Sequence, residues 1–189
     1  MPNELKTENM KSLTKTIYIA IFSLALLSFN SHSQNVSQND SLEIKLKKAA
    51  LDIISNASTC ALITLDEKGI PIVRTMDPFQ PESDFTIWFG TNSKSRKVTQ
   101  LKNNPIVTLY YPNKENSGYV VLYGEAQLIN DPKEKETHWK PEWEAFYPDK
   151  SDDNYLLIKV TPKWMEVLNI PLGILGDPIT WKTPIVHFN

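Results

Sequence analysis

The chain has 189 residues, 41% of them hydrophobic and 22% charged, with a net charge of −2, which suits one globular domain and excludes a disordered chain. Lys and Arg are interleaved with acids, so no basic stripe offers itself to a nucleic acid; Lys94, Arg96 and Lys97 are the one local exception. The single cysteine, Cys60, excludes an intrachain disulfide, and three scattered histidines, His32, His138 and His187, give no zinc-ligand spacing, so no metal is expected.

Lys11 and Lys15 precede an uncharged apolar run from Thr16 to Phe29, closed by Asn30-Ser31-His32-Ser33-Gln34. This charged, apolar, small-residue order is that of a secretory signal peptide, and the run is shorter than the ~20 residues a membrane-spanning helix needs. The expectation is a signal peptide over 1–33, export, and a mature protein that begins near Gln34. Cleavage removes three of the 20 basic and two of the 22 acidic residues, leaving a net charge of −3.

Residues 34–41 read as a flexible linker before a domain over 42–189. Leu42, Leu46, Ala49, Ala50, Ile53 and Ile54 recur at helical spacing behind a capping Asp40 or Ser41, which predicts an amphipathic helix to about Asn56. Thr59–Leu65 and Ile70–Met76 are β-rich runs around Asp66-Glu67-Lys68-Gly69, a hairpin whose glycine suits a positive φ. Cys60, inside the first run, reads as a buried thiol. A third strand is expected over Phe85–Phe89, then a short helix capped by Ser93 or Ser95 with Val98 and Leu101 facing inward and Pro105 beyond its end. Ile106–Tyr111 and Tyr119–Ile129 follow as strands. Trp139, Trp143, Phe146 and Tyr147 then fall at the spacing of a buried helical face. Tyr155–Val160 and Trp164–Leu168 complete the sheet, with Thr183–Phe188 a candidate edge. The fold class is mainly β with flanking helices, a small antiparallel barrel of six or seven strands.

The segment Gly90–Lys97 has the best claim to chemistry. A helix N-terminus presents unpaired N–H groups and the positive end of its dipole to an anion. Thr91 and Ser95 add hydroxyls; Arg96 and Lys97 add a planar fork and a point charge. The alternative is an ordinary helix cap with solvated charges. Arg74 shares its strand face with Ile70, Ile72 and Met76, where an unpaired charge is costly and a bound anion would remove the cost.

The stretch Gly90-Thr91-Asn92, Ser95-Arg96-Lys97-Val98, Gln100-Leu101 and Asn103-Asn104-Pro105 resembles the FMN-phosphate segment of pyridoxamine 5'-phosphate oxidases and their split-barrel relatives. Gly69–Met76 is similar to the strand whose arginine approaches the flavin in that family, and Tyr123-Gly124-Glu125-Ala126 to the glycine-bearing strand beyond it. Trp139, Phe146-Tyr147-Pro148 and Tyr155–Pro162 resemble the general-stress-protein branch in particular. The resemblance covers Ile44–Leu168. It implies an FMN-binding split barrel with Thr91, Ser95, Arg96 and Lys97 on the phosphate, and Arg74, Thr75 and Met76 along the cofactor. It also implies a homodimer, because the resembled barrels build each flavin site from two chains. The C-terminal Trp and Arg-Leu-His segment of the true oxidases has no counterpart after Pro162, and Tyr119 stands where they carry a flavin-contacting glutamine, so vitamin B6 oxidation is not expected. Trp139 and Trp181 read either as walls of a substrate pocket or as core and interface.

The expected function is that of an FMN-dependent oxidoreductase of unknown substrate and electron donor. The rival expectation is a non-catalytic module that stores or senses flavin or another ring cofactor. A haem-binding relative ranks last, for want of a well-placed histidine.

Overall fold

The computed structural model describes residues 40–188; the expected signal peptide and nearly all of the linker lie outside the described residues. Helix α1 covers residues 40–56, and its Leu46, Ala49, Ala50, Ile53 and Ile54 are buried at the helical period. Seven strands follow: β1 (Cys60–Leu65), β2 (Pro71–Met76), β3 (Ile87–Asn92), β4 (Ile106–Pro112), β5 (Gly118–Ile129), β6 (Tyr155–Asn169) and β7 (Ile185–His187). They join in one antiparallel sheet in the order β2-β1-β4-β5-β6-β3, with β7 added on β6. The hairpin β1–β2 turns at Gly69, whose φ is +76°, and Asp66 accepts the amides of Lys68 and Ile70.

Alternation in each strand sends one set of side chains into a common core that holds Leu62, Phe89, Leu109, Leu122, Val160 and Met165. Gly124 sits at the bulge between β5 and β6, where a Cβ would lie 2.6 Å from the Thr161 carbonyl oxygen; only glycine lets the two strands approach there.

Three expectations are corrected in detail. Residues 155–169 form one long strand, because pairing with β5 continues on both sides of Pro162 and the bulge at Lys163 absorbs the register shift. The third strand starts later, at Ile87, since Phe85 is held at φ +67° in a turn closed by its N–H to the Glu82 carbonyl oxygen at 2.9 Å. The aromatic stripe after Pro132 is no continuous helix: α3 (Pro132–Thr137) stops at His138 and a 3₁₀ turn (Pro141–Ala145) follows. Pro141 disfavours helical geometry at Lys140 and so divides the segment. Its aromatics still bury, in a second apolar cluster built on Trp88, Tyr147, Tyr155 and Leu157, with Phe79, Trp139 and Trp143 packed against it; Phe146 stays outside.

Helix α2 (Arg96–Asn103) follows β3 directly and packs on β1 and β5 through Val98 and Leu101, with Ser95 at its N-cap position. No described helix is long and apolar enough to cross a membrane.

Candidate functional site

Three cations converge where β2, β3 and the start of α2 meet. Arg74 lies on the half-buried face of β2 with Ile72 and Met76, across the hairpin from Leu62. Its guanidinium donates to Thr64 Oγ1 at 2.9 Å, a diagonal contact across β1, and to Gln100 Oε1 on α2 at 2.8 Å. Thr64 itself donates to the same Gln100 oxygen at 2.7 Å, so a closed triangle of hydrogen bonds fixes the fork.

Lys97, in the first turn of α2, reaches back to β3 and donates to Thr91 Oγ1 at 3.0 Å. Thr91, only 4% exposed, lies 3.3 Å from Ser95 Oγ. Although Ser95 holds the N-cap position, its hydroxyl makes no capping bond, and among the described residues the amides of Arg96 and Lys97 find no acceptor. These are the orphan donors that every helix start leaves, here beside two hydroxyls and three positive charges.

The charges press on one another. Burial lowers the pKa of Arg74, and the charge of Arg96 lowers it further. Burial likewise lowers that of Lys97, with Arg74 as the second cause. None of the three cations is ion-paired among the described residues, whereas Lys140, Lys150 and Lys163 each have a carboxylate. Such a cluster is matched by a compact dianion with several acceptor oxygens, the description of a phosphate monoester.

Five of the seven residues singled out in the sequence therefore come together: Arg74, Thr91, Ser95, Arg96 and Lys97. Thr75 points its exposed side chain to the other face of β2, and Met76 packs at the edge of the core. Thr64 and Gln100 were missed as members. Both had a signal: Thr64 is a polar residue on the face of Cys60 and Leu62, and Gln100 lies four residues after Arg96, on the same side of the helix. Of the two tryptophans considered as pocket walls, Trp139 belongs to the aromatic cluster and Trp181 is 84% exposed.

The chain belongs to the pyridoxamine 5'-phosphate oxidase-like family, whose profile matches residues 45–172. A curated relative, the pyridoxine/pyridoxamine 5'-phosphate oxidase of Pseudoalteromonas translucida, is 29% identical over 87 residues. That match spans 46% of this chain and only 41% of the relative's length. Among solved structures, general stress protein 26 of Bacillus anthracis superposes with a TM-score of 0.62 at 24% identity, covering 76% of this chain and 98% of that one. A Clostridium acetobutylicum protein related to general stress protein 26 gives 0.63 at 21% identity, with 77% and 95% covered. The fold is thus the split barrel of this family, and members of the family commonly bind flavin or related ligands.

Proposed function

We propose that the chain is an exported flavoprotein that holds FMN by its phosphate and works as an oxidoreductase. The observation that carries this reading is the convergence of Arg74, Arg96 and Lys97 without a carboxylate partner at a helix start that also offers two hydroxyls and two free amides. In this reading Arg96 and Lys97 neutralise the phosphate, Thr91 and Ser95 donate to its oxygens, and Thr64 and Gln100 keep Arg74 aimed at it. Thr75 and Met76 lie further along the cofactor, Thr75 through its backbone, because its side chain faces away from Arg74. When bound, the flavin ring supplies hydride or electron-pair transfer, so the chain needs no nucleophile of its own.

The leader at 1–33 supports export, and the outward face of β4, β5 and β6 supports a homodimer. Tyr110, Tyr119, Tyr123 and Trp164 line that face, with Tyr123 and Trp164 stacked at 3.6 Å. An aromatic outer sheet surface of this kind suits closure by a second copy.

The test is the absorption spectrum of the purified mature protein after incubation with FMN, followed by addition of a nicotinamide donor. A bound flavin band that bleaches and recovers in air supports the oxidoreductase. A bound flavin that never turns over reassigns the chain to flavin storage or sensing, and absence of binding removes the proposal. Intact mass decides cleavage near Gln34, and light scattering decides the dimer.

A further inference from the structure

A separate pocket lies on the opposite face of β3 from the cation cluster. Strand alternation sends Thr91 toward α2 and its two neighbours, Gly90 and Asn92, to the other side. There the segment after β5 closes over the sheet and leaves a cavity of about 270 Å³, lined also by Asp77, Trp143, Phe146 and Tyr147.

The aromatic walls differ in how they are held. Trp143 is fixed: its ring meets Phe79 edge-on at 5.5 Å and Trp139 at 6.3 Å, and the Lys140 ammonium lies 5.6 Å from its centroid. It seats directly on Gly90, where a Cβ would lie 2.4 Å from the indole. Tyr147 is buried and packs at 5.1 Å on Tyr155. Phe146 is 76% exposed at the rim and pairs with no ring among the described residues.

The polar groups are half used. One Asp77 oxygen accepts from Lys140 at 2.5 Å, which cancels the charge and leaves the second oxygen without a donor among the described residues. Asn92 Oδ1 accepts the Lys94 amide at 2.8 Å and leaves Nδ2 without an acceptor among the described residues. The pocket therefore presents ring surfaces, one acceptor and one donor, with no net charge to satisfy.

We infer that this pocket binds a small, neutral, planar ring with an amide or lactam edge, its N–H to Asp77 and its carbonyl to the Asn92 amide. The size admits one or two fused rings and is below the ~300–1,000 Å³ usual for larger ligands. The inference stands apart from flavin binding, since the two sites use opposite faces of β3.

Saturation-transfer NMR on the full chain with nicotinamide as the probe tests it, with nicotinate as the charged control. Nicotinamide should saturate with a Kd on the order of 1 mM, the range a ligand of this size can reach, and nicotinate should bind at least about fivefold more weakly. Phe146→Ala removes an exposed ring that supports no other, so the fold is unaffected and binding should weaken roughly fivefold. Asn92→Asp keeps the acceptor for the Lys94 amide and turns the free donor into an acceptor, so it should weaken binding about tenfold at an unchanged melting temperature. Equal affinity for nicotinate, no saturation by roughly 20 mM, or two variants that bind like the parent would each overturn the assignment.

Discussion

The Arg74 guanidinium on β2 and the Gln100 side-chain carbonyl on α2 are joined at 2.8 Å, and this bond ties the hairpin to the helix whose first turn carries Arg96 and Lys97. It brings three positive charges together with only neutral oxygens among them. Folding here accepts mutual repulsion and partial burial of charge, a cost that a bound dianion reverses.

Gln100 therefore offers a test of the electrostatic reading that does not delete a cation. Gln100→Glu keeps the size and gives the cluster its missing carboxylate. It should stabilise the apo-protein, by up to about 1 kcal/mol, while it weakens FMN binding roughly tenfold or more, because the new charge competes with the phosphate. Gln100→Leu removes the acceptor without adding charge and should lower stability by about 1 kcal/mol with only a several-fold loss of affinity. Thermal melts with and without FMN compare the two. A Glu variant that binds FMN as the parent does would show that the cations do not act on the phosphate.

Lys97→Ala should weaken FMN binding roughly 10- to 100-fold, the amount expected when a charged hydrogen bond of about 1.5–3 kcal/mol is lost. Riboflavin, which has the ring and lacks the phosphate, should bind the parent much more weakly than FMN and respond little to the substitution. Fluorescence titration of both ligands against both proteins reads the contrast. Unchanged FMN affinity would return Arg96 and Lys97 to the status of solvated surface charges.

How much of this was legible in the sequence depended on range. Period-two burial in β1 and β5 and the helical period of α1 are local, and the sequence carried them plainly. The cluster at Gly90–Lys97 was legible because its members are close along the chain. Arg74 was legible because a charge on an apolar face needs a partner. The partner was a different matter: Thr64 and Gln100 are 36 residues apart, and only the sheet order β2-β1-β4 with α2 laid across it brings them together. The aromatic segment was misread for the opposite reason. Its spacing is helical, but Pro141 divides it, and the rings bury through a 3₁₀ turn against β3.

That turn sets a strict demand on Gly90. Gly90→Ala would place a methyl group 2.4 Å from the Trp143 ring and 3.1 Å from Tyr155, both held by further aromatic contacts. The indole must move, and destabilisation of about 1–3 kcal/mol is expected, as for overpacking of a core. Chemical denaturation measures it, and Trp143→Ala in the same chain should recover part of the Gly90→Ala loss, because it removes the clash. Full additivity of the two losses would show that the close approach is not the cause.

Cys60 gives a probe of global opening. Burial pushes its thiol up to about 12, and the thiol lies beside Tyr111, whose buried hydroxyl has no partner but this weak one among the described residues. Alkylation of the native protein at pH 8 should therefore be at least roughly 100-fold slower than in denaturant, since both thiolate fraction and access are small. Tyr111→Phe deletes a buried hydroxyl that has only a weak thiol partner and should be neutral or stabilising by up to about 1 kcal/mol. Mass spectrometry after timed alkylation and thermal melts check the pair, and rapid native labelling would show that the core opens around β1.

Stability of the apo-protein should depend on pH with a sign set by Lys97. Burial and then the charge of Arg74 lower its folded-state pKa below the ordinary 10.5. In the window between those two values the unfolded apo-protein binds more protons than the folded one, so stability rises with pH there. Below the window the whole penalty is present. Bound phosphate raises the lysine pKa again, so the alkaline rise should shrink or vanish when FMN is present, and Lys97→Met should abolish it in the apo-protein. At the acid end the ligand titrates instead. A phosphate monoester loses its second proton near pH 6, so FMN affinity should fall several-fold between about pH 7 and pH 5 while riboflavin affinity stays level. Melts of parent and Lys97→Met from pH 7 to 10, with fluorescence titrations from pH 7 to 5, measure both ends. An FMN affinity that does not change from pH 7 to 5 would mean that the cluster does not select the dianion, and the assignment of Arg74, Arg96 and Lys97 to the phosphate would have to be given up.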